Sequence, residues 1–254
     1  MQIAITREVS RSIINCELTH LQRMPIDLDR ARAQHRRYEA VLKQLGLAVL
    51  SLPEAPALAD SVFVEDTALV LDECAIITRP GADSRRSETQ AIAELLAPYR
   101  SLFHILTPAR VDGGDILQVG KDIYIGLSTR SDTNAIEQIQ DFLQPYGFRL
   151  HAVNVTGCLH LKSAVTQVAN DTLLINPAWV DKADFPGVKF LEIDPSEAYA
   201  ANAVMIGGTI IYPTAFPKTG QRLESAHIPM ITVDADELAK AEGALTCCSL
   251  IFNI

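Results

Sequence analysis

Cys247 stands in the run Thr246-Cys247-Cys248-Ser249 near the end of the chain. A cysteine attacks as its thiolate and needs a nearby cation or general base to form one. His160, followed by Leu161 and Lys162, is the natural partner. Asp112 can accept a hydrogen bond from the imidazole, which would orient the ring and stabilise its protonated form. Sequence distance is no obstacle, because such groups meet in space. On its own the trio is a weak signal, since any chain with five cysteines and six histidines offers one. The plainer alternatives stay open here: Cys247 and Cys248 as small apolar residues of a buried C-terminal strand, and His160 as a satisfied loop histidine.

An acidic cluster is more specific. Asp60, Glu65 and Asp66 sit in a stretch otherwise rich in Val, Phe and Leu. Carboxylates there are costly to desolvate unless they meet a cation. A guanidinium is planar, and its forked donors match carboxylates. Arg85 and Arg130 follow strand-like runs and can grip a carboxylate by the same geometry, or serve as solvated charges with structural pairs. Gly113-Gly114-Asp115 lacks the lysine and helix of a phosphate-binding loop. Asn202 reads as a turn residue.

Elements that would position these groups recur along the chain. Leu28 to Leu45 predicts a helix with Ala31, Tyr38, Leu42 and Leu45 on one face and Gly46 at its end. Val62 to Leu71 and Cys74 to Thr78 predict two strands joined at Asp72-Glu73. Ser87 to Tyr99 predicts a helix capped by Ser87 and Gln90. Hairpins are expected at Ile116 to Val119 with Ile123 to Leu127, at Ser163 to Val168 with Thr172 to Ile175, and at Ala203 to Ile206 with Thr209 to Tyr212. The last turns at Gly207-Gly208. Thr133 to Tyr146 predicts another helix. Asp234 and Glu237 suggest a capping box for a short one, and Leu245 to Phe252 a final strand. Asp66, Asp112, His160, Asn202 and Cys247 each open one of these hairpins or strands, about 42–48 residues apart. A closed ring of about five strand–strand–helix–strand units would bring all five to one central site.

Composition removes other function classes. The formal charge is −9 with no basic tract, which makes nucleic acid and anionic membranes poor partners. No apolar run approaches the roughly 18–20 residues that span a bilayer, and the start of the sequence carries no signal-peptide pattern. Five scattered cysteines argue against a disulfide framework and have no zinc-site spacing. A reducing cytoplasm and one continuous domain over residues 1–254 are the expectations, with no linker-like segment to divide it.

The chain resembles the dimethylarginine dimethylaminohydrolase family, within the guanidine-modifying amidinotransferase-like (pentein) superfamily. The resemblance rests on Leu18-Thr19, Asp60-Ser-Val-Phe-Val-Glu-Asp66, Ile76-Ile-Thr-Arg-Pro-Gly-Ala82 with Ser84-Arg85-Arg86, and Val111-Asp-Gly-Gly-Asp-Ile116. It continues through Gly126-Leu-Ser-Thr-Arg130, His160-Leu-Lys162, Tyr199-Ala-Ala-Asn202 and Gly243-Ala-Leu-Thr-Cys-Cys-Ser249. These occur in the family's order over nearly the whole chain. The resemblance implies an α/β fold, a five-module α/β propeller of pseudo-fivefold ββαβ units around a central active site. It implies Cys247 as nucleophile, His160 as general acid and base, and Asp112 as its orienting carboxylate. It further implies that Asp66 and Glu65 hold the guanidinium, that Phe63 lies against it, and that Arg85 and Arg130 take the substrate α-carboxylate. Asp60 and the Leu18 carbonyl would take the α-amine, and Glu242 would line the substrate site where relatives have aspartate. The implied reaction converts Nω-methylated arginines to citrulline and methylamine or dimethylamine through a covalent cysteine thiouronium, in a monomer or homodimer, with no metal and no cofactor. An arginine or agmatine deiminase on the same fold, or a non-catalytic binding homologue, are the alternatives.

Overall fold

The computed structural model describes residues 1–254. β1 (Gln2–Arg7), α1 (Leu28–Gln44) and β2 (Ala48–Leu52) come first, then β3 (Ala68–Val70), β4 (Ala75–Ile77), α2 (Thr89–Leu96) and β5 (Leu102–His104). β6 (Ile116–Val119), β7 (Asp122–Leu127), α3 (Thr133–Leu143) and β8 (Arg149–Asn154) follow. The short α4 (Leu161–Ala164) leads into β9 (Val165–Ala169), β10 (Thr172–Ile175) and β11 (Lys189–Glu192). The chain ends with β12 (Val204–Ile206), β13 (Thr209–Pro213), α5 (Pro217–Ser225), β14 (Met230–Val233), α6 (Asp236–Ala239) and β15 (Leu250–Asn253).

These strands form five three-stranded sheets. In each, a middle strand pairs antiparallel with a first strand and parallel with a third. The parallel partner needs a crossover, and α1, α2, α3 and α5 supply four of them. The five middle strands read as continuous apolar runs. Ile3-Ala4-Ile5, Ala75-Ile76-Ile77, Ile123-Tyr124-Ile125, Leu173-Leu174-Ile175 and Ile210-Ile211-Tyr212 are all buried, as expected of strands covered on both faces. Sheet one uses both ends of the described chain: β15 pairs with β1 from Gln2↔Asn253 to Ile5↔Leu250 and closes the ring.

Apolar clusters seal neighbouring modules together. Ile3, Ile5 and Phe252 of the first sheet pack on Ala75 and Ile77 of the second and on Ile92 and Leu96 of its crossover helix α2. Ala31, Tyr38 and Leu42 of α1 meet Val204, Ile211 and Val233 of the fifth. The first strands of all five sheets line one cavity of about 350 Å³, so those strands surround a common axis. No helix is long and apolar enough to cross a membrane.

The first helix ends as expected. Gly46 takes φ +92°, and the amides of Gly46 and Leu47 return to the carbonyls of Lys43 and Leu42. Gly207 and Gly208 both have positive φ in the expected hairpin turn.

Five local expectations are corrected. Val64–Thr67 and Thr246–Cys248 are 3-10 turns rather than strand. Asp83–Glu88 is also 3-10, so α2 starts at Thr89 and Ser87 caps nothing. Glu237 does not cap α6; it accepts the amide of Asp27 and the ammonium of Lys240 instead. The fourth module crosses over without a full helix, through a single 3-10 turn at Lys182–Asp184. Pro177, Pro186 and Gly187 interrupt helix there, while Trp179, Val180 and Phe185 pack on that module's cluster.

Candidate active site

The five polar residues that open the modules occupy equivalent places at one end of the ring. Asp66 lies in the turn before β3, Asp112 just before the turn Gly113–Asp115 that leads to β6, and His160 caps α4 before β9. Asn202 precedes β12, and Cys247 lies in the turn before β15. A tight turn ahead of an inner strand aims side chains at the axis, which an extended strand would send alternately to either face.

Cys247, His160 and Asp66 line one narrow cleft of about 20 Å³, together with Asp60, Phe63, Arg85, Arg130, Glu242, Glu17, Leu159, Ala241 and Gly243. Cys247 is 8% exposed, and its Sγ accepts the Ala244 amide at 3.4 Å. His160 Nε2 pairs with Asp112 Oδ2 at 3.0 Å, and Nδ1 lies 3.9 Å from Asp66 Oδ1. Asp112 is wholly buried, and its other oxygen accepts the Gly81 amide at 2.8 Å. Gly114 donates to Asp66 Oδ1 at 2.9 Å, and a Cβ there would come within 2.6 Å of His160 Nδ1. Only glycine leaves the imidazole its place.

The charges are strongly displaced. Burial alone would lower the pKa of His160, but Asp66, the bond to Asp112 and Asp115 outweigh it and raise it to about 9. Burial pushes Asp66 up, yet His160 and Arg85 hold it at about 2. Burial, then Glu65 and Asp66, push the Cys247 thiol well above the ordinary range. The free site therefore holds a neutral thiol and an imidazolium at neutral pH, beside an ionised carboxylate.

The other expected residues fall in three settings. Asp60 accepts the Glu17 amide at 3.1 Å, and Arg130 reaches Thr19 Oγ1 at 3.2 Å and Asp112 at 3.7 Å. Both face the cleft. Arg85 also lines it, but most of its donors are engaged by Asp66, Glu88 and the Phe63 carbonyl. Phe63 packs tightly on Gly243, where a Cβ would meet its ring at 2.1 Å. Glu65 turns away from the cleft; its carboxylate pairs with Lys162 Nζ at 2.6 Å and accepts Thr246 Oγ1 at 2.7 Å, facing the axial cavity. The Leu18 side chain packs on the core, next to Glu17 at the cleft. Glu242, at φ +57°, accepts the amides of Thr19, His20 and Leu21 and so ties the strap that carries Leu18 to the cleft wall.

Three contributors escape sequence reading. Glu88 is 4% exposed and holds Arg85 at 2.8 Å; burial pushes it up to about 7 against the pull of Arg85. Its only signal is the three-residue spacing. Asp115 accepts the Leu161 amide at 2.9 Å and the hydroxyls of Ser128 and Ser131 at 2.6 Å, anchoring the turn that bears His160. Thr246, beside the nucleophile, has no signal at all. Donor atoms of Asp66, Asp112 and His160 lie within 4.8 Å of one another, a set able to hold a cation, although both carboxylates already accept backbone amides.

Residues 19–184 match the family model described as N,N dimethylarginine dimethylhydrolase, eukaryotic. The chain is 34% identical to the N(G),N(G)-dimethylarginine dimethylaminohydrolase of Pseudomonas aeruginosa, over 98% of each chain. It is 35% identical to the enzyme of that name from Streptomyces coelicolor, over 97% of this chain and 95% of the other. A structure of a cysteine-to-serine mutant of the Pseudomonas aeruginosa enzyme, complexed with citrulline, superposes with a TM-score of 0.93 at 33% identity, over 98% of each chain. The N-terminal domain of a cyanobacterial arginine dihydrolase shares the fold, with a TM-score of 0.88 at 19% identity over 98% of this chain and 97% of that one.

Proposed function

The chain belongs to the dimethylarginine dimethylaminohydrolase family, and on that premise we propose that it hydrolyses Nω-methylated arginines with Cys247 as nucleophile, His160 as general acid and base, and Asp112 as the carboxylate that orients His160. The carrying observation is the His160–Asp112 bond at 3.0 Å on the wall that also bears Cys247 and Asp66.

A guanidinium resists attack because its charge is delocalised and its amines leave poorly. Asp66, ionised down to about pH 2, is the seat for that cation. Its arrival beside Cys247 opposes the field that keeps the thiol protonated, so binding itself favours the thiolate, the thiol proton leaving to solvent because His160 already carries one. Sγ then forms a bond to the guanidinium carbon. His160, already protonated, gives its proton to the departing dimethylamine as the carbon–nitrogen bond breaks. The amidino carbon stays on sulfur as an S-alkylthiouronium. Neutral His160 next takes one proton from water and the oxygen bonds to the same carbon; the sulfur–carbon bond then breaks and the remaining hydroxyl proton passes to sulfur, which releases citrulline and restores the thiol.

Arg130 is the carboxylate anchor, because its head group is only lightly engaged, by Thr19 and the more distant Asp112. Arg85 braces Asp66, and reaches a substrate carboxylate only by exchanging partners. Asp60 and the Leu18 carbonyl are assigned to the α-amine, Phe63 to the face of the guanidinium, and Glu242 to the strap. Glu65 supports the site from behind, through Lys162 and Thr246. Ring closure by β15 on β1 supports one domain over residues 1–254. The five unpaired cysteines support work in a reducing compartment such as the cytoplasm.

The test supplies asymmetric dimethylarginine, arginine and agmatine and follows dimethylamine against ammonia. Dimethylamine release with a mass adduct on Cys247 is expected. Ammonia from arginine or agmatine at higher efficiency would replace the proposal with deimination.

A further inference from the structure

Behind Cys247 and His160 lies a closed hydrogen-bond circuit with Asn202 at its junction. The Asn202 amide donates to the Lys162 carbonyl and to Thr246 Oγ1, each at 3.0 Å. Its own oxygen accepts the Thr246 amide at 3.2 Å. Thr246 Oγ1 donates to Glu65 at 2.7 Å, and Lys162 Nζ donates to the other oxygen of Glu65 at 2.6 Å. Lys162 is two residues after His160, and Thr246 is the residue before Cys247. Asn202 is 3% exposed, and both its amide hydrogens and its oxygen are in use.

We propose that Asn202 is a positioning residue that sets the spacing between Cys247 and His160, by clamping the turn that carries one to the turn that carries the other. The inference rests on that pair being the reacting groups. The two turns open different modules, α4 with β9 and β15, and no strand pairing joins those modules directly. A side chain that bonds the backbone of both turns fixes their relative height along the axis. Thr246 Oγ1 takes part as acceptor from Asn202 and donor to Glu65, so its hydroxyl proton and lone pair are both committed. Aspartate at 202 would match the shape of asparagine but lose both donors, and would bury a second anion beside Glu65.

The experiment compares unaltered protein with Asn202→Ala, Thr246→Val and Tyr212→Phe, using asymmetric dimethylarginine and counting active sites by the covalent adduct at Cys247. Tyr212 donates to the Ala200 carbonyl at 2.9 Å, so its loss loosens the same segment without touching either turn. Misplacement of reacting groups by about 1 Å costs on the order of 10²-fold. Asn202→Ala and Thr246→Val are therefore expected to lose about that in kcat per active site, with KM within about threefold. Tyr212→Phe should lower Tm and keep kcat. Asn202→Ala with kcat per site near that of the unaltered protein overturns the inference, as does an equal loss in Tyr212→Phe. Where Asn202→Ala does not fold, an unchanged kcat in Thr246→Val overturns it. Absence of a Cys247 adduct in the unaltered protein removes the premise, and the inference with it.

Discussion

His160 Nε2 donates to Asp112 Oδ2 at 3.0 Å, and that bond turns the imidazole so that Nδ1 faces Asp66 at 3.9 Å. One ring nitrogen is committed to orientation and the other looks into the cleft. The flanking carboxylates keep the ring protonated up to about pH 9, against a burial that alone would discharge it.

Asp112→Asn retains the shape but removes the charge. The His160 pKa should fall, so the alkaline limb of the kcat/KM profile should move to lower pH from its place near 9. The protonated ring is the acid form, so activity is lost as pH rises through its pKa. Loss of oriented acid–base help should cost about 10²–10⁴-fold in kcat. A profile that keeps its alkaline limb would separate Asp112 from the titrating group.

Iodoacetamide should label Cys247 slowly in the free protein at neutral pH, because burial and the carboxylates of Glu65 and Asp66 keep the thiol protonated. The rate should climb only above the ordinary cysteine range. Peptide mass mapping over pH 6–10 reads this out, and rapid labelling at pH 7 would contradict the charge assignment.

Gly114→Ala puts a methyl within 2.6 Å of His160 Nδ1 and 2.9 Å of Asp66 Oδ1. The ring and the carboxylate must shift apart. A loss on the order of 10²-fold in kcat is expected from displaced reacting groups. Steady-state kinetics with a circular-dichroism check on folding tests it; a fully active variant would mean the site tolerates movement.

Glu242→Gln keeps the length but weakens three bonds to the strap amides of Thr19, His20 and Leu21. KM for asymmetric dimethylarginine should rise about tenfold, equal to about 1.4 kcal/mol, with a smaller change in kcat. Equal kinetics in the two proteins would detach the strap from substrate retention.

Stability should also follow these charges. His160 rises from roughly 6.5 unfolded to about 9 folded, so its contribution is complete below the first value and lost as pH climbs through the second. Tm should therefore decline between about pH 7 and 10 more steeply in the unaltered protein than in His160→Gln. Parallel melting curves would remove His160 as the source.

Parts of this architecture are legible without coordinates. The spacing of Asp66, Asp112, His160, Asn202 and Cys247 carries the pseudo-fivefold repeat, because each module needs the same length of chain to run out, turn and return. Gly46 and Gly207-Gly208 punctuate it where positive φ is required. The turns at Val64–Thr67 and Thr246–Cys248 are misread as strand, since their apolar residues are buried between modules rather than along a sheet face. Ser87 and Glu237 resemble helix caps, yet long-range partners or 3-10 geometry take precedence. The fourth crossover lacks its helix for a legible reason, in Pro177, Pro186 and Gly187.

What the amino-acid order decided by itself is the set of chemical types and their recurrence, since these depend on residue identity and on local steric rules. The tertiary structure alone decided which charges neutralise one another. Glu65 is drawn to Lys162, Arg85 is spent on Glu88 and Asp66, and Glu242 is engaged by strap amides. Those choices depend on distance and desolvation, for the most part between groups far apart in the chain; only the three-residue spacing of Arg85 and Glu88 leaves a trace in the sequence.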